Sequence, residues 1–103
     1  MNDVGNAQPI LSYRRDLPNG DIIQVVVWLL SEPLPGSPHL YKYRLHYQAA
    51  DGSDCIRYDN ERGKGDHRHI AGAEEPYLFE SVEKLARDFY EAINLARSEG
   101  GIS

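Results

Sequence analysis

The segment Gly63-Lys64-Gly65-Asp66-His67-Arg68-His69-Ile70 sets two imidazoles one residue apart, directly after a lysine held between glycines. Histidine titrates near neutrality, so of two imidazoles at one site, one can take a proton from a nucleophile while the other gives one to a leaving group. Arginine or lysine beside them holds a phosphate and stabilises the charge that grows in the transition state. RNA brings its own nucleophile, the 2′-hydroxyl, so cleaving it at such a site needs neither a metal nor an enzyme serine. The Gly63-Lys64-Gly65 turn adds amides that could form a nest for phosphate, although it lacks Walker spacing.

These groups act together only if the strands carrying them are neighbours. His39–Ala49 and Asp54–Glu61 read as a hairpin around Asp51-Gly52. Treating Asp51-Gly52 as a two-residue loop, with Ala50 opposite Ser53, pairs Tyr47 with Ile56, Leu45 with Tyr58 and Tyr43 with Asn60 on one side of the sheet. The other side then pairs His46 with Arg57, Arg44 with Asp59 and Lys42 with Glu61. A slip of one residue would mix apolar with charged residues, which argues for this pairing. In an extended His67–Ile70 strand, Ile70 joins the apolar side, so His67 and His69 join the charged one. The short connection Arg62–Asp66 makes that strand the hairpin's antiparallel neighbour.

The remaining chain supplies a scaffold. Ile10–Leu17 and Asp21–Ser31 flank Pro18-Asn19-Gly20, where Asn-Gly predicts a type I′ hairpin turn. The run Ile22–Leu30 is nearly all apolar and β-branched, as in a central strand at least partly covered on both faces. The three prolines of Glu32–Pro38 force a loop. Val82, Leu85, Ala86, Phe89, Tyr90, Ile93 and Ala96 form a helical stripe over Ser81–Arg97, with Ser81 as N-cap and Gly100-Gly101 as the stop. The expected fold is α+β: an antiparallel sheet of about five strands with one long C-terminal helix packed on one face. Residues 1–9 are expected to be a flexible N-terminus and residues 10–98 a single domain.

The net charge of −5 argues against a protein that coats nucleic acid by bulk electrostatics. Its distribution is uneven: residues 39–70 hold six basic residues against five acids and all four histidines, whereas both flanking segments are acidic. The middle third is therefore the anion-binding candidate. One cysteine, no apolar run of about 20 residues and no signal segment lead to the expectation of a soluble cytoplasmic protein with no membrane association. An exposed edge such as Ile10–Leu17 allows a homodimer.

Blander readings compete. A charged sheet face is commonly just solvated, and an Arg44–Asp59 pair contributes only about 0.2–1 kcal/mol. His39 reads as structural or solvent-exposed, Cys55 as a small strand residue, and Trp28, Tyr41, Tyr43 and Tyr47 as core. A metal site is the sharper rival, with His67 and His69 joined by Asp59, Asp66 or His46; Arg44, Arg57 and Arg68 would oppose a cation there.

Taken together, Tyr41-Lys42-Tyr43-Arg44-Leu45, Arg57-Tyr58-Asp59-Asn60 and Gly63-Lys64-Gly65-Asp66-His67-Arg68-His69 resemble the TumE family of bacterial toxin–antitoxin toxins, over residues 10 to 95. The resemblance implies a toxin encoded beside a helix-turn-helix antitoxin that neutralises it. A grouping with RelE-like toxins would imply cleavage of RNA, often at the ribosome, but this chain lacks their basic excess and begins with strands. The leading expectation is a metal-independent, cofactor-free endoribonuclease. Its catalytic residues would be His67, His69 and Asp59, with Arg44, Arg57, His46, Lys64 and Arg68 binding substrate; Tyr58 belongs to the core face, though its place in the motif leaves it a contributor. The alternatives are a non-catalytic module binding protein or nucleic acid, and a metal-dependent nuclease.

Overall fold

The computed structural model describes residues 7–53 and 55–100, with side chains through Ser98. The chain runs β1 (Gln8–Asp16), β2 (Ile22–Leu29), β3 (Tyr41–Gln48), β4 (Cys55–Glu61), β5 (Gly65–Ile70), β6 (Ala73–Pro76) and α1 (Val82–Gly100). The strands form one antiparallel meander in the order β1-β2-β3-β4-β5-β6, so every sequence neighbour is a spatial neighbour. This is the expected α+β arrangement with one strand more. The added strand, β6, follows a two-residue turn in which Ala71 (φ 54°) and Gly72 (φ 82°) both have positive φ, the conformation of a type I′ turn.

The turn at Pro18-Asn19-Gly20 is correspondingly not type I′. Gly20 N–H bonds to Leu17 O at 2.9 Å and only Gly20 has positive φ, which makes it a type I turn closed by a left-handed glycine. Asp51-Gly52 departs in the same way: Gly52 N–H bonds to Ala49 O, and the last paired residues are Gln48 and Cys55, so the loop is longer than two residues. The hairpin pairing is nonetheless the expected one, with Arg44 opposite Asp59, Leu45 opposite Tyr58 and His46 opposite Arg57. Of the N-terminal stretch, residues 1–6 lie outside the described residues, while Gln8 and Pro9 pair with Leu29 and Trp28.

Alternation assigns one sheet face to the core. Ile23, Val25, Val27, Tyr43, Leu45, Tyr47, Ile56 and Tyr58 pack with Leu85, Phe89 and Ile93 of α1, all at most 2% exposed. Burying such side chains contributes about 1.5–3 kcal/mol each. The helix starts where expected: Ser81 Oγ accepts from Lys84 N–H at 3.0 Å. Gly101, the second residue of the expected stop, lies outside the described residues. Among the described residues no helix is long and apolar enough to cross a membrane.

The other face carries no helix among the described residues, and on the core side two buried polar residues keep the strands aligned. Asn60, 4% exposed, accepts from Tyr43 N–H at 3.0 Å and donates to Tyr41 O at 2.7 Å, so a side-chain amide takes the place of ladder bonds where β3 and β4 separate. The expected pairing of Lys42 with Glu61 is accordingly missing from the ladder. Asp21 accepts from Tyr47 Oη at 2.7 Å and Ala50 N–H at 2.9 Å, joining the first hairpin to the second.

Candidate functional site

The open face is organised in cross-strand rows. One row runs Gln24, His46, Arg57, His69, Glu74 from β2 to β6; the next runs Val26, Arg44, Asp59, His67, Pro76. Directly opposed Cβ atoms lie about 4.5–5.5 Å apart, so His46 and His69 flank Arg57 from the two neighbouring strands.

At the centre, the Arg57 guanidinium bridges the two rows. Its Nη2 donates to His69 Nε2 at 3.0 Å, and its Nε lies 3.2 Å from Asp59 Oδ2. The bond from arginine makes His69 Nε2 an acceptor, so this ring presents a lone pair. His67 Nδ1 donates to the Gly65 carbonyl at 3.1 Å, and its Nε2 lies 2.6 Å from Asp59 Oδ1. That last contact is an ion-pair approach without hydrogen-bond alignment: His67 Nε2, Asp59 Oδ1 and Arg57 Nε are all buried and lack an aligned partner among the described residues. The two imidazoles differ in access. The His67 side chain, on the residue paired with Pro76 of β6, is 4% exposed, whereas that of His69 is 27% exposed and lies 3.4 Å from Glu74.

The structure thus brings His67, His69, Asp59, Arg57, Arg44 and His46 onto one face. Arg44 is exposed and makes no ion pair among the described residues. Burial, with Arg44 and Arg57 close by, depresses the His46 pKa below the usual imidazole value and keeps the ring neutral. Two expected members are elsewhere. Arg68 projects to the helix side, as strand alternation requires of a residue between two site histidines, and there it pairs with Glu75 and donates to Tyr58 Oη at 3.3 Å. Lys64 is engaged by Glu74 at 3.1 Å and Glu61 at 3.6 Å. Nor is the phosphate nest open: Gly63 N–H bonds to Pro35 O at 2.7 Å and Lys64 N–H to Glu61 O at 3.0 Å, so the loop docks the proline segment instead. Asp66 is occupied as well. Its carboxylate accepts from His39 Nε2 at 2.8 Å, while His39 Nδ1 accepts from Tyr41 N–H and the ring packs on Phe79, which makes His39 structural.

Sequence reasoning gave no site role to Cys55, Trp28 or Lys42, and Trp28, read as core, lies instead on the open face. Cys55 Sγ lies 3.2 Å from His46 Nε2, a diagonal contact that the pairing of Gln48 with Cys55 implies. Trp28 and Lys42 pair across β2 and β3 and, with Arg44, Asp59 and Glu61, line a cavity of about 260 Å³ beside the two rows. Trp28 alternates with core residues Val25 and Val27 along β2, and that alternation was the available signal.

The family described as Toxin TumE matches residues 5–96, a span that holds both hairpins, β5 with its histidines, and most of α1. No curated protein and no solved structure matches the chain. The chain belongs to the TumE family of toxins, the toxic components of toxin–antitoxin systems.

Proposed function

We propose that this toxin is a metal-independent endoribonuclease whose site is the row His46–Arg57–His69 with Arg44 beside it. The observation that carries the reading is a guanidinium set between two imidazoles on an open sheet face. Arg57 and Arg44 hold the scissile phosphate. A neutral imidazole takes the 2′-hydroxyl proton, O2′ forms a bond to phosphorus, the P–O5′ bond breaks, and the second imidazole, which takes up a proton from solvent once Arg57 turns from it to the phosphate, gives that proton to O5′; the products are a 2′,3′-cyclic phosphate and a 5′-hydroxyl. His46, held neutral, suits the first transfer, and His69 faces the phosphate from the opposite flank. His67 acts from below as a positioning residue: buried and pressed against Asp59, it fixes the carboxylate that orients Arg57. An antitoxin partner follows from family membership, and a helix-turn-helix protein that covers this face would silence the site.

The test is incubation of the purified chain with RNA, with and without chelator, alongside growth assays of variants. Chelator-resistant cleavage is expected, and His69→Asn or His46→Asn should lower its rate by about 10²–10⁴-fold. Chelator-sensitive cleavage would transfer the reaction to a metal, and absence of cleavage would leave a binding module. A folded chain carrying both His67→Ala and His69→Ala that still arrests growth would overturn the proposal.

A further inference from the structure

We propose that Asp59, His67 and His69 form a binding site for a borderline transition-metal ion such as Zn²⁺, whose occupancy displaces Arg57 and silences the face. One ligand atom from each of the three residues lies within 4.8 Å of the others. An ion bound at about 2.0–2.1 Å to each ligand needs them within about 4 Å, a closure that a rotation of the partly exposed His69 supplies.

The state of His67 carries the argument. Its Nδ1 faces a carbonyl and must bear a hydrogen. That hydrogen bond to main chain is the outer contact that orients a metal-ligating histidine and leaves Nε2 to coordinate. Nε2 is buried, has no aligned hydrogen-bond partner, and sits 2.6 Å from a carboxylate oxygen in the same condition. Two acceptors cannot rest at that distance unless a proton or a cation lies between or beside them. His69 Nε2 also presents a lone pair, now directed at Arg57.

Arg57 is the reason the site can exchange one cation for another. Its guanidinium bridges His69 and Asp59, so the pocket is already built around positive charge. The Arg57 side chain is 31% exposed and can swing outward, leaving two nitrogens and one carboxylate oxygen, a donor set that suits zinc and disfavours magnesium or calcium. Glu74 and Glu61 lie 3.4 Å from His69 Nε2 and 3.8 Å from His67 Nε2, two carboxylates that share the single positive charge of Lys64. With the ion bound, His69 has no free lone pair and Arg57 no anchor. The effect on cleavage rests on the function proposed above; the binding does not.

The experiment titrates untagged protein with Co²⁺, follows the visible ligand-field bands, and then displaces the cobalt with Zn²⁺. One equivalent should bind to the wild type and to Cys55→Ser alike. Loss of a direct ligand should weaken binding by at least the about 10–100-fold that loss of an outer contact costs, so His69→Asn and Asp59→Asn should both fall that far. His69→Asn, at a partly exposed position, decides the matter if Asp59→Asn does not fold. Arg57→Met should instead tighten binding, an outcome that a purely structural role for these residues would not produce. No binding by the wild type, a sulfur-to-cobalt band that places the ion at Cys55, or unchanged affinity in His69→Asn would each overturn the proposal. In the parallel RNA assay, Zn²⁺ should inhibit the wild type; if metal binds and cleavage continues, silencing is refuted. A chain that binds metal but cuts no RNA under any condition refutes the nuclease reading and retains the site.

Discussion

Replacing Asn60 with alanine is expected to destabilise the fold by about 3 kcal/mol. The Asn60 amide is 4% exposed and satisfies two main-chain groups, Tyr43 N–H at 3.0 Å and Tyr41 O at 2.7 Å. Alanine strands both. An unsatisfied buried polar group costs about 1–3 kcal/mol, which bounds the loss at about 2–6 kcal/mol. Tyr41 is only half-buried, so water will reach its carbonyl and the lower half of that range applies. For a domain with about 5–15 kcal/mol of stability this is a large fraction, and at about 4–8 °C per kcal/mol the melting temperature should fall by about 12–24 °C. Asn60→Asp should not restore it, because its second oxygen would face the Tyr41 carbonyl. Urea unfolding followed by Trp28 fluorescence and by far-ultraviolet circular dichroism measures the change, and both probes should give the same midpoint. A loss within about 0.5 kcal/mol, the range of an ordinary surface substitution, would show that the amide does not hold the strands and would refute the reasoning.

Three further outcomes are expected. His46 has a pKa below its unfolded value of about 6.5, so the stability this contributes is complete above that pH and is lost as pH falls through the folded value. Arg44→Gln removes one cause of the depression and should move the acid limb of kcat/KM for RNA cleavage to higher pH; an unmoved limb argues against His46 as the proton acceptor. Tyr47→Phe removes the 2.7 Å bond to Asp21 and should cost about 1.5–3 kcal/mol in urea unfolding. That bond is the main cause lowering the Asp21 pKa, so the part of the stability that wild type loses as pH falls from the unfolded Asp value through the depressed folded one should be smaller in this variant, and a melting profile across pH checks it. Ala71 sits at φ 54°, a region that costs a residue with a Cβ about 1–2 kcal/mol; Ala71→Asn should raise the urea midpoint by an equivalent of about 0.5–1 kcal/mol without changing the slope.

Much of the site was legible because a pleated strand is an arithmetic object. Once Leu45, Tyr47, Ile56 and Tyr58 had to share a face, the positions of Arg44, His46, Arg57 and Asp59 followed, and Ile70 fixed the side taken by His67 and His69. What escaped depended on contacts distant in sequence. β6 reads Ala-Glu-Glu-Pro, with no apolar alternation, and its turn uses Ala-Gly where Asn-Gly is the stronger signal. The pairing of buried His67 with Pro76 of that strand escaped with it. The nest at Gly63 and Lys64 is closed by a hydrogen bond from a loop almost thirty residues away, which no local pattern encodes. Asn60 stood within a motif suggestive of chemistry, while its observed contacts are with main chain.

Through β3 and β4 each reactive position is immediately followed by one that the fold cannot spare: Arg44 by Leu45, His46 by Tyr47, Arg57 by Tyr58, Asp59 by Asn60. A genetic screen for harmless variants of the toxin would therefore recover hits along this stretch without a gap, chemical defects interleaved with folding defects. Only the yield of intact soluble protein would separate the two classes, and a map of inactivating substitutions alone would outline the strands and not the site.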